Sequence, residues 1–332
     1  MAEELENIAV AGAGRMGRGI ALSFALAGYP VALIDSEERD TDAFAELAAM
    51  TAKELAEETA LLQGAGAIGE RAAAAAIARI SVLSRADARD ALQAAHVVFE
   101  AVLEVLDVKR STYEWLSGEA AAQTILASTT STMLADTLAG FVTGPERYTN
   151  AHWLNPAYLM PLVEISPSAE TTDRTVADLR ALLERVGKVP VVCAASPGYI
   201  VSRLQALVLN EAARLVEEGV ASAEDIDKAV RTGFGPRYTV FGPLEFIDWG
   251  GGDILYYASN YLAQAIDPKR FSSPEIVREN MAAGRNGMRE GQGFYDWQGI
   301  DLDGYRQERL AAFARLLGNL DLLPAGTADK TD

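Results

Sequence analysis

Short apolar runs alternate with stretches of helical periodicity along the chain up to about residue 192. The runs that we predict to be strands are 8–10, 31–34, 80–83, 96–100, 124–127, 148–151, 162–165 and 190–192. Strands that are separated by helices favour a parallel, doubly wound sheet with helices on both of its faces. This part of the chain therefore predicts a fold of the α/β class.

Two parts of the chain depart from this alternation. Residues 42–79 are rich in alanine and glutamate and break only at 64–69, which predicts a helical hairpin inserted into the sheet domain. Near the middle of the chain, long helical patterns such as 201–218 replace the strands. We place a domain boundary at this change, which gives an α/β domain over 1–192 and an all-α domain over 193–332.

The composition agrees with two domains. The 332 residues exceed the size at which a single hydrophobic core usually stops growing. The formal charge of −18 argues against binding to nucleic acid or to an anionic membrane. No apolar stretch is long enough to span a membrane and no secretion signal precedes the first strand, so we expect a cytoplasmic protein. The single cysteine, Cys193, excludes an internal disulfide and a multi-cysteine metal site, and we expect no metal.

The first predicted strand enters a turn with the pattern Gly-x-Gly-x-x-Gly. Gly12 permits the tight turn, Gly14 lets a pyrophosphate approach the backbone, and Gly17 lets the following helix pack on the strand. The second strand ends at Asp35, where a carboxylate binds the ribose hydroxyls of a dinucleotide. Two glutamates follow and would repel a ribose phosphate, so NAD is favoured over NADP despite Arg39. The turn predicts a Rossmann-type dinucleotide site; the alternative is a glycine-rich turn that binds nothing.

The segment AHWLNPAYLMPLVEI, residues 151–165, holds one of only two histidines in the chain. Fully extended, the twelve residues from His152 to Glu164 would span roughly 40 Å. The prolines between them predict turns, so two short strands hinged there bring the imidazole and the carboxylate face to face. An imidazole held by a carboxylate is a general base with a fixed tautomer. The alternative is that His152 is a core residue; the other histidine, His96, we interpret as structural.

In these motifs and their order, the chain resembles the NAD-dependent L-3-hydroxyacyl-CoA dehydrogenases, including 3-hydroxybutyryl-CoA dehydrogenases, over nearly its whole length. The resemblance rests on the glycine turn, EAVLEVLDVK at 100–109, ASTTST at 127–132, HWLNP with PLVE, SPGYIVSRL at 196–204 and GQGFYDW at 291–297. It implies an NAD-binding Rossmann domain, a helical domain that binds substrate and forms a homodimer interface, and a role in fatty acid metabolism.

The resemblance also implies which residues form the site. The cofactor-binding positions are Gly12, Gly14, Met16, Gly17, Asp35, Glu104 and Lys109, the last two near the nicotinamide half of NAD. In the oxidative direction His152 takes the hydroxyl proton while hydride leaves the same carbon for NAD. Glu164 stabilises the imidazolium, and Ser131 hydrogen-bonds the substrate oxygen. The alternatives are a surface carboxylate at a strand end for Glu164 and a helix N-cap before 133–139 for Ser131.

Three departures from the family pattern concern the substrate. Ser202 stands where the family carries asparagine, which replaces a substrate-facing amide by a shorter hydroxyl. The helical hairpin, which presents lysines to the CoA phosphates in the family, has Lys53 as its only lysine, among glutamates and alanines. The segment 233–245 is longer than the corresponding loop in the family and carries Arg237. It is similar to the loop of relatives that act on free carboxylates, namely gulonate 3-dehydrogenase, which also serves as lambda-crystallin, and carnitine dehydrogenase.

These features leave the substrate open between two small molecules. The default is a short-chain 3-hydroxyacyl-CoA, and the rival is a free 3-hydroxy acid whose carboxylate Arg237 binds bidentately. The alternative for Arg237 is a surface arginine paired with an acid, and a third possibility for the protein is that it binds NAD without catalysis.

We expect a homodimer, because helices of the second domain carry more aromatic surface than a small domain readily buries. The residues are Trp249, Tyr256, Tyr257 and Tyr261. The alternative is that they pack within their own domain.

Overall fold

One sheet of eight strands organises the first part of the computed structural model, which describes residues 6–323. The strands are β1 Ile8–Ala11, β2 Val31–Ile34, β3 Ile80–Leu83, β4 Val97–Glu100, β5 Ile125–Ser128, β6 Tyr148–Trp153, β7 Leu162–Pro167 and β8 Val189–Val192. Their order across the sheet is β3-β2-β1-β4-β5-β6-β7-β8. Neighbouring strands are parallel except β6 and β7.

The antiparallel pair is the one departure from the predicted parallel sheet. Only residues 154–161 connect β6 to β7. A parallel pair needs a longer crossover, usually a helix, whereas an antiparallel pair can be joined by a short turn. The two strands therefore form a hairpin.

Helices cover both faces of the sheet, which confirms the predicted doubly wound fold. The helices of this part are α1 Arg15–Leu26, α2 Thr41–Gly64, α3 Glu70–Ile77, α4 Arg89–Ala94, α5 Leu106–Glu119, α6 Ala135–Ala139 and α7 Asp173–Arg185, with a 3₁₀ turn at Pro145–Arg147. Alternate strand residues belong to different cores: Val10 packs with Phe24 of α1, and Ala11 packs with Tyr113 of α5. The helices α2 and α3 form the predicted hairpin.

The chain divides into two compact units between Val208 and Leu209, within α8 (Val201–Glu217). The helices after α8 are α9 Ala223–Ala229, α10 Gly235–Val240, α11 Pro243–Gly250, α12 Gly252–Ala265, α13 Pro268–Phe271, α14 Glu275–Ala282 and α15 Leu302–Asn319. No helix within residues 6–323 is long and apolar enough to cross a membrane.

A buried carboxylate organises part of the second unit. Asp248 of α11 accepts hydrogen bonds from the backbone N–H groups of Phe294 and Tyr295 and from the indole of Trp297, each at 2.9 Å. These residues belong to the GQGFYDW motif. The motif is therefore attached to α11 through a buried carboxylate whose two oxygens both accept hydrogen bonds.

The segment 233–245, for which the resemblance predicts a long loop, is mostly helical. A π-helical turn at Val230–Phe234 leads directly into α10, and α11 begins at Pro243. Proline is tolerated in the first turn of a helix because its missing N–H has no intrahelical partner there. Because the π turn joins α10 directly, the helical conformation continues through Gly235 and Pro236. The expectation of a long loop at 233–245, which came from the resemblance, is therefore wrong.

Candidate active site

The carboxyl ends of the parallel strands β1, β4, β5 and β6 lie at the same edge of the sheet. Ligands of doubly wound sheets bind at this edge, where the strand order reverses. The reversal occurs at β1, which has β2 on one side and β4 on the other. Residues that follow these strands are therefore the candidates for a site.

The glycine turn after β1 has two positions where only glycine fits. Gly12 has a φ of +113°, and a Cβ there would lie 2.6 Å from the carbonyl oxygen of Ala101. A Cβ at Gly17 would lie 1.8 Å from the carbonyl oxygen of Gly12. At Gly14, the N-cap of α1, a Cβ would meet no atom within 4 Å. The open space at Gly14 thus leaves room for an anion at the start of α1, where Met16 occupies the first turn.

Asp35 follows β2 beside a cavity. Its carboxylate is almost fully buried and accepts a hydrogen bond from Nε of Arg39 at 2.7 Å, and Glu37 binds the same guanidinium at 2.8 Å. The cavity has a volume of about 550 Å³ and is lined by Asp35, Glu37, Glu38, Arg39, Ser84, Arg85, Ala86, Arg89, Trp115 and Glu119. This volume lies within the range of small-molecule and cofactor sites. The cavity is therefore large enough for the adenosine half of NAD, and the carboxylate of Asp35 borders it.

Lys109 lies in a buried ion pair with Glu100, the last residue of β4. Its Nζ donates to Oε1 and Oε2 of Glu100 at 2.8 and 3.0 Å. Glu100 also accepts from the hydroxyls of Ser128 and Tyr113. Since all of these side chains are buried and the carboxylate is saturated with donors, the pair fixes β4, β5 and α5 to one another. Sequence reasoning missed Glu100, although a charge at the end of the run VVFE is a signal for it.

Glu104 anchors the loop that carries Ser131. Its Oε1 accepts from the backbone N–H and the hydroxyl of Thr132 at 3.2 and 2.8 Å, and from the hydroxyl of Thr130. Burial opposes ionisation of Glu104, but the hydrogen bond from Thr130 and the charge of Lys109 outweigh it and lower the pKa of this carboxyl. The carboxylate is therefore charged and holds the residues on either side of Ser131.

Ser131 itself is exposed, and within the described part of the chain its hydroxyl has no hydrogen-bond partner. The alternative interpretation of Ser131 as an N-cap is wrong, because α6 begins only at Ala135 with Leu134 as its N-cap. It is the hydroxyl of Thr130 that accepts from the N–H of Met133, at 3.0 Å. The Ser131 hydroxyl is thus available to a ligand.

His152 and Glu164 stand opposite each other in the β6–β7 hairpin. Nδ1 of His152 lies 2.8 Å from Oε2 of Glu164, and both side chains are buried. The other oxygen of Glu164 accepts from the backbone N–H groups of Ile200 and Val201 at 2.9 and 3.0 Å. The alternative of a surface carboxylate at a strand end is therefore wrong for Glu164, which is fully buried in the middle of β7.

The contacts of this pair determine the tautomer of the imidazole. An ionised carboxylate only accepts hydrogen bonds, so Nδ1 carries the proton and Nε2 presents its lone pair. Nε2 of His152 has no hydrogen-bond partner within residues 6–323. This arrangement can accept a proton at Nε2 and stabilise the resulting positive charge at Nδ1.

Lys188 holds the turn of the hairpin. Its Nζ donates to the carbonyl oxygens of Ala157 and Met160, at 2.6 and 3.0 Å, and lies 5.3 Å from the centroid of the Trp153 ring. Burial lowers the pKa of Lys188 to about 8. The turn between the strands of His152 and Glu164 is therefore secured by a buried side chain.

The remaining predicted residues lie outside this cluster of contacts. Ser202 is the second residue of α8 and follows Val201, which binds Glu164. Arg237 belongs to α10 in the second unit, is exposed, and lies 5.7 Å from the ring centroid of Phe246. No ion pair of Arg237 occurs among residues 6–323. His96 accepts a hydrogen bond from the N–H of Asn7, which agrees with a structural role.

The chain is similar to known proteins over most of its length. The family model "3-hydroxyacyl-CoA dehydrogenase, NAD binding domain" matches residues 7–196, and the model of the C-terminal domain of the same family matches residues 198–297.

Three relatives illustrate the range of this similarity. A lambda-crystallin homologue of Bos taurus is 38% identical over 258 residues, which cover 77% of each chain. The 5-formyl-3-hydroxy-2-methylpyridine 4-carboxylate 5-dehydrogenase of Mesorhizobium japonicum is 31% identical over 94% of this chain and 98% of its own. The crystal structure of a 3-hydroxyacyl-CoA dehydrogenase from Archaeoglobus fulgidus has a TM-score of 0.74 and 32% identity, covering 96% of this chain and all of that one.

The glycine turn gives a matched pair of substitutions. Gly17→Ala forces a methyl group against the carbonyl of Gly12, so we expect a loss of about 2 to 4 kcal/mol in the free energy of unfolding. Gly14→Ala meets no protein atom and should change stability by less than about 1 kcal/mol. Its methyl group enters the space proposed for the pyrophosphate, so the dissociation constant of NADH should rise on the order of tenfold. Urea unfolding and NADH fluorescence titration measure both quantities, and unchanged NADH binding by G14A would contradict the assignment.

Proposed function

Since the chain belongs to the 3-hydroxyacyl-CoA dehydrogenase family, whose members are NAD-dependent oxidoreductases acting on CH–OH groups, we propose that it interconverts a 3-hydroxyacyl substrate and its 3-oxo form with His152 as the general base. The observation that carries the proposal is the buried contact of 2.8 Å between His152 and Glu164, which leaves Nε2 without a partner in the described residues. A neutral imidazole in this state is ready to accept the hydroxyl proton of an alcohol.

The chemistry divides between cofactor and protein. NAD, when bound, accepts the hydride from the carbon that carries the hydroxyl group. Nε2 of His152 takes the hydroxyl proton, and the carboxylate of Glu164 stabilises the imidazolium that forms. Ser131 donates a hydrogen bond to the substrate oxygen, which gains negative charge as the proton leaves. In the reductive direction the imidazolium returns the proton.

The cofactor fits the sheet edge through residues of the first unit. The first turn of α1 offers backbone N–H groups over the open position of Gly14, and Met16 lies in that turn. Asp35 borders the cavity that fits adenosine. Glu104 and Lys109 contribute indirectly: they shape the loop of Ser131 and the end of β4.

The default substrate is a short-chain 3-hydroxyacyl-CoA, which would place the reaction in fatty acid metabolism. A second candidate, a free 3-hydroxy acid held by Arg237, is favoured by the charge of the α2–α3 hairpin. Acidic side chains dominate this hairpin, and its only lysine, Lys53, lies 3.7 Å from Glu57. A CoA tail carries several phosphate charges and would be repelled there. One relative, the pyridine carboxylate dehydrogenase, is by its name an enzyme for a substrate without CoA.

A non-catalytic NAD-binding protein is the third candidate. A protein that only binds a dinucleotide does not require a buried histidine oriented by a carboxylate. Keeping Glu164 charged and buried has a large desolvation cost, which the two backbone N–H donors offset. The geometry therefore favours an enzyme.

We also propose that the domain over 193–332 mediates a homodimer. On α12, Ile254, Tyr257 and Tyr261 are 62, 61 and 70% exposed and share one face of the helix because of their spacing. The alternative that the aromatic residues pack within their own domain does not hold for Tyr257 and Tyr261, whereas Trp249 and Tyr256 are partly buried. An exposed apolar stripe of this kind marks an interaction surface.

Substitutions of the hydrogen-bonded pair test the general base. His152→Asn should lower kcat for alcohol oxidation about 100- to 10,000-fold, and Glu164→Gln should lower it at least about tenfold, because the imidazolium loses its counter-charge. The dissociation constant of NADH should stay unchanged, since neither residue belongs to the proposed cofactor site. His96→Asn is the matched control and should behave as the wild type. Steady-state kinetics at saturating NAD decide, and wild-type turnover by H152N would disprove the role.

Arg237 separates the two substrate candidates. For a free-acid enzyme, Arg237→Ala should lower kcat/KM for 3-hydroxybutyrate and related acids by the equivalent of about 2 to 5 kcal/mol, because the carboxylate loses its partner. For a thioester enzyme, kcat/KM for 3-hydroxybutyryl-CoA should hardly change. Arg231→Ala is the control, since Arg231 lies in the preceding π turn and pairs with Asp227 at 3.7 Å. NADH absorbance with matched acids and thioesters reports the result.

The oligomeric state tests the α12 surface. Sedimentation equilibrium should give twice the 35.5 kDa of one chain. Tyr261→Glu should shift the mass to that of the monomer, because it places a charge in a desolvated interface. Leu61→Glu, at an equally exposed apolar position of α2, should leave the dimer intact. A monomeric wild type would refute the proposal.

A further inference from the structure

Tyr199 contacts His152 directly and is hydrogen-bonded to the loop that carries Ser131, although its motif did not identify it as a site residue. Its ring stacks on the imidazole of His152, with the centroids 5.1 Å apart and the planes 26° from parallel. Its side chain is 5% exposed. Stacking on one face of the imidazole limits rotation of the ring, while Glu164 binds Nδ1 in its plane.

The hydroxyl of Tyr199 reaches the loop of Ser131. It lies 3.1 Å from the carbonyl oxygen of Thr130 and 3.4 Å from that of Met133, and these two residues enclose the serine and Thr132. A phenol has one proton to donate, so the shorter contact with Thr130 is the principal bond. The loop is therefore tied to the same side chain that stacks on His152.

Asn150 on β6 orients this hydroxyl from the other side. Its Nδ2 donates to the Tyr199 oxygen at 2.8 Å and to the carbonyl of Met133 at 3.0 Å. The Tyr148 hydroxyl donates to Oδ1 of Asn150, which determines the end of the amide that faces Tyr199. Burial, the largest cause, raises the pKa of the Tyr199 hydroxyl, so it remains a proton donor to the loop.

The backbone after Tyr199 completes the arrangement. The next two residues, Ile200 and Val201, donate their N–H groups to Glu164. Tyr199 has a φ of +46°, a left-handed conformation that costs roughly 1 kcal/mol or more for a residue with a side chain. That conformation lets the ring and the following N–H groups face the same site.

From these contacts we propose that Tyr199 is a positioning residue, which sets the Ser131 hydroxyl against the imidazole of His152 through its own hydroxyl and ring. The proposal rests on the proposed function, since it assumes that Ser131 and His152 act on one substrate. Tyr199 does not itself touch the reacting atoms. Its effect on the reaction passes through the Thr130–Met133 loop.

The test compares two tyrosines that are both 5% exposed in the first unit. Tyr199→Phe removes only the hydroxyl and keeps the stacking ring. Tyr29→Phe is the control, because Tyr29 lies just before β2, at the edge of the sheet opposite to the site. We expect Y199F to lower kcat about fivefold to tenfold, the effect of losing one hydrogen bond, with the dissociation constant of NADH unchanged. Y29F should leave both quantities unchanged.

A double-mutant cycle with Ser131→Ala distinguishes positioning from a general loss of stability. If Tyr199 acts through the serine, adding Y199F to S131A should cost less than about twofold in kcat. A purely structural role would instead multiply the two single effects. Multiplicative losses in the cycle would overturn the proposal.

Hydrogen exchange on the ligand-free protein provides a second readout that needs no turnover. The backbone N–H groups of Thr132 and Met133 should exchange faster in Y199F than in the wild type and in Y29F. Unchanged exchange would overturn the proposal. Should Y199F fail to fold, Asn150→Ser, which removes the hydrogen bonds of the amide to the Tyr199 hydroxyl and to the Met133 carbonyl, should give faster exchange in the loop.

The two readouts also separate this proposal from the proposed function. If the wild type oxidises no 3-hydroxy acid or thioester, the proposed function fails and the catalytic part of the present proposal fails with it. Turnover that is normal in Y199F would refute the positioning role alone. Reduced turnover with faster loop exchange and a non-multiplicative cycle would support both.

Discussion

The hydrogen bond between His152 and Glu164 depends on a single change of strand direction. In a fully parallel sheet, the strand after β6 would arrive by a crossover, and residues twelve apart in sequence could not face each other. The short connection forces β7 to run antiparallel, and the register then pairs the histidine directly with the glutamate. A shift of one residue would turn one of the two side chains to the opposite face. Lys188 binds the connection between β6 and β7 and therefore also supports the register of these two strands.

The sheet edge is further organised by charged side chains, of which Glu100 and Lys109 are fully buried and Glu104 is partly exposed. Glu100 and Lys109 connect the ends of β4 and β5 with α5, and Glu104 holds the loop after β5. Such groups are costly to bury and become stabilising only when every polar atom finds a partner. Because the donors are rigid, they hold Ser131 while leaving its own hydroxyl free of protein partners in residues 6–323. The same carboxylates add to the acidity of a chain with a formal charge of −18.

The sequence predicted most of the fold, because buried parallel strands are continuous apolar runs that stand out against amphipathic helices. The expected strands 31–34 and 80–83 have the same bounds as β2 and β3. The predicted break in the helical hairpin at 64–69 agrees with the end of α2 at Gly64 and the start of α3 at Glu70. The contact between His152 and Glu164 could be predicted from the sequence because prolines indicate the turn between them. Glu100 and Tyr199 were missed, since their importance comes from partners that are distant in sequence. The prediction of a loop at 233–245 was wrong, because a π turn continues directly into α10 and the resemblance did not indicate this.

The ion pairs of Arg39 with Asp35 and Glu37 have a consequence for the choice between NAD and NADP. The guanidinium is held by Asp35 at 2.7 Å and by Glu37 at 2.8 Å, so the positive charge of Arg39 is already neutralised. The 2′-phosphate of NADP carries about two negative charges and would lie near both of these carboxylates. The guanidinium of Arg39 already pairs with them and would not be free to bind the phosphate. These contacts favour the unphosphorylated dinucleotide through repulsion of the phosphate, and a mutation that released Arg39 from either acid would weaken that repulsion.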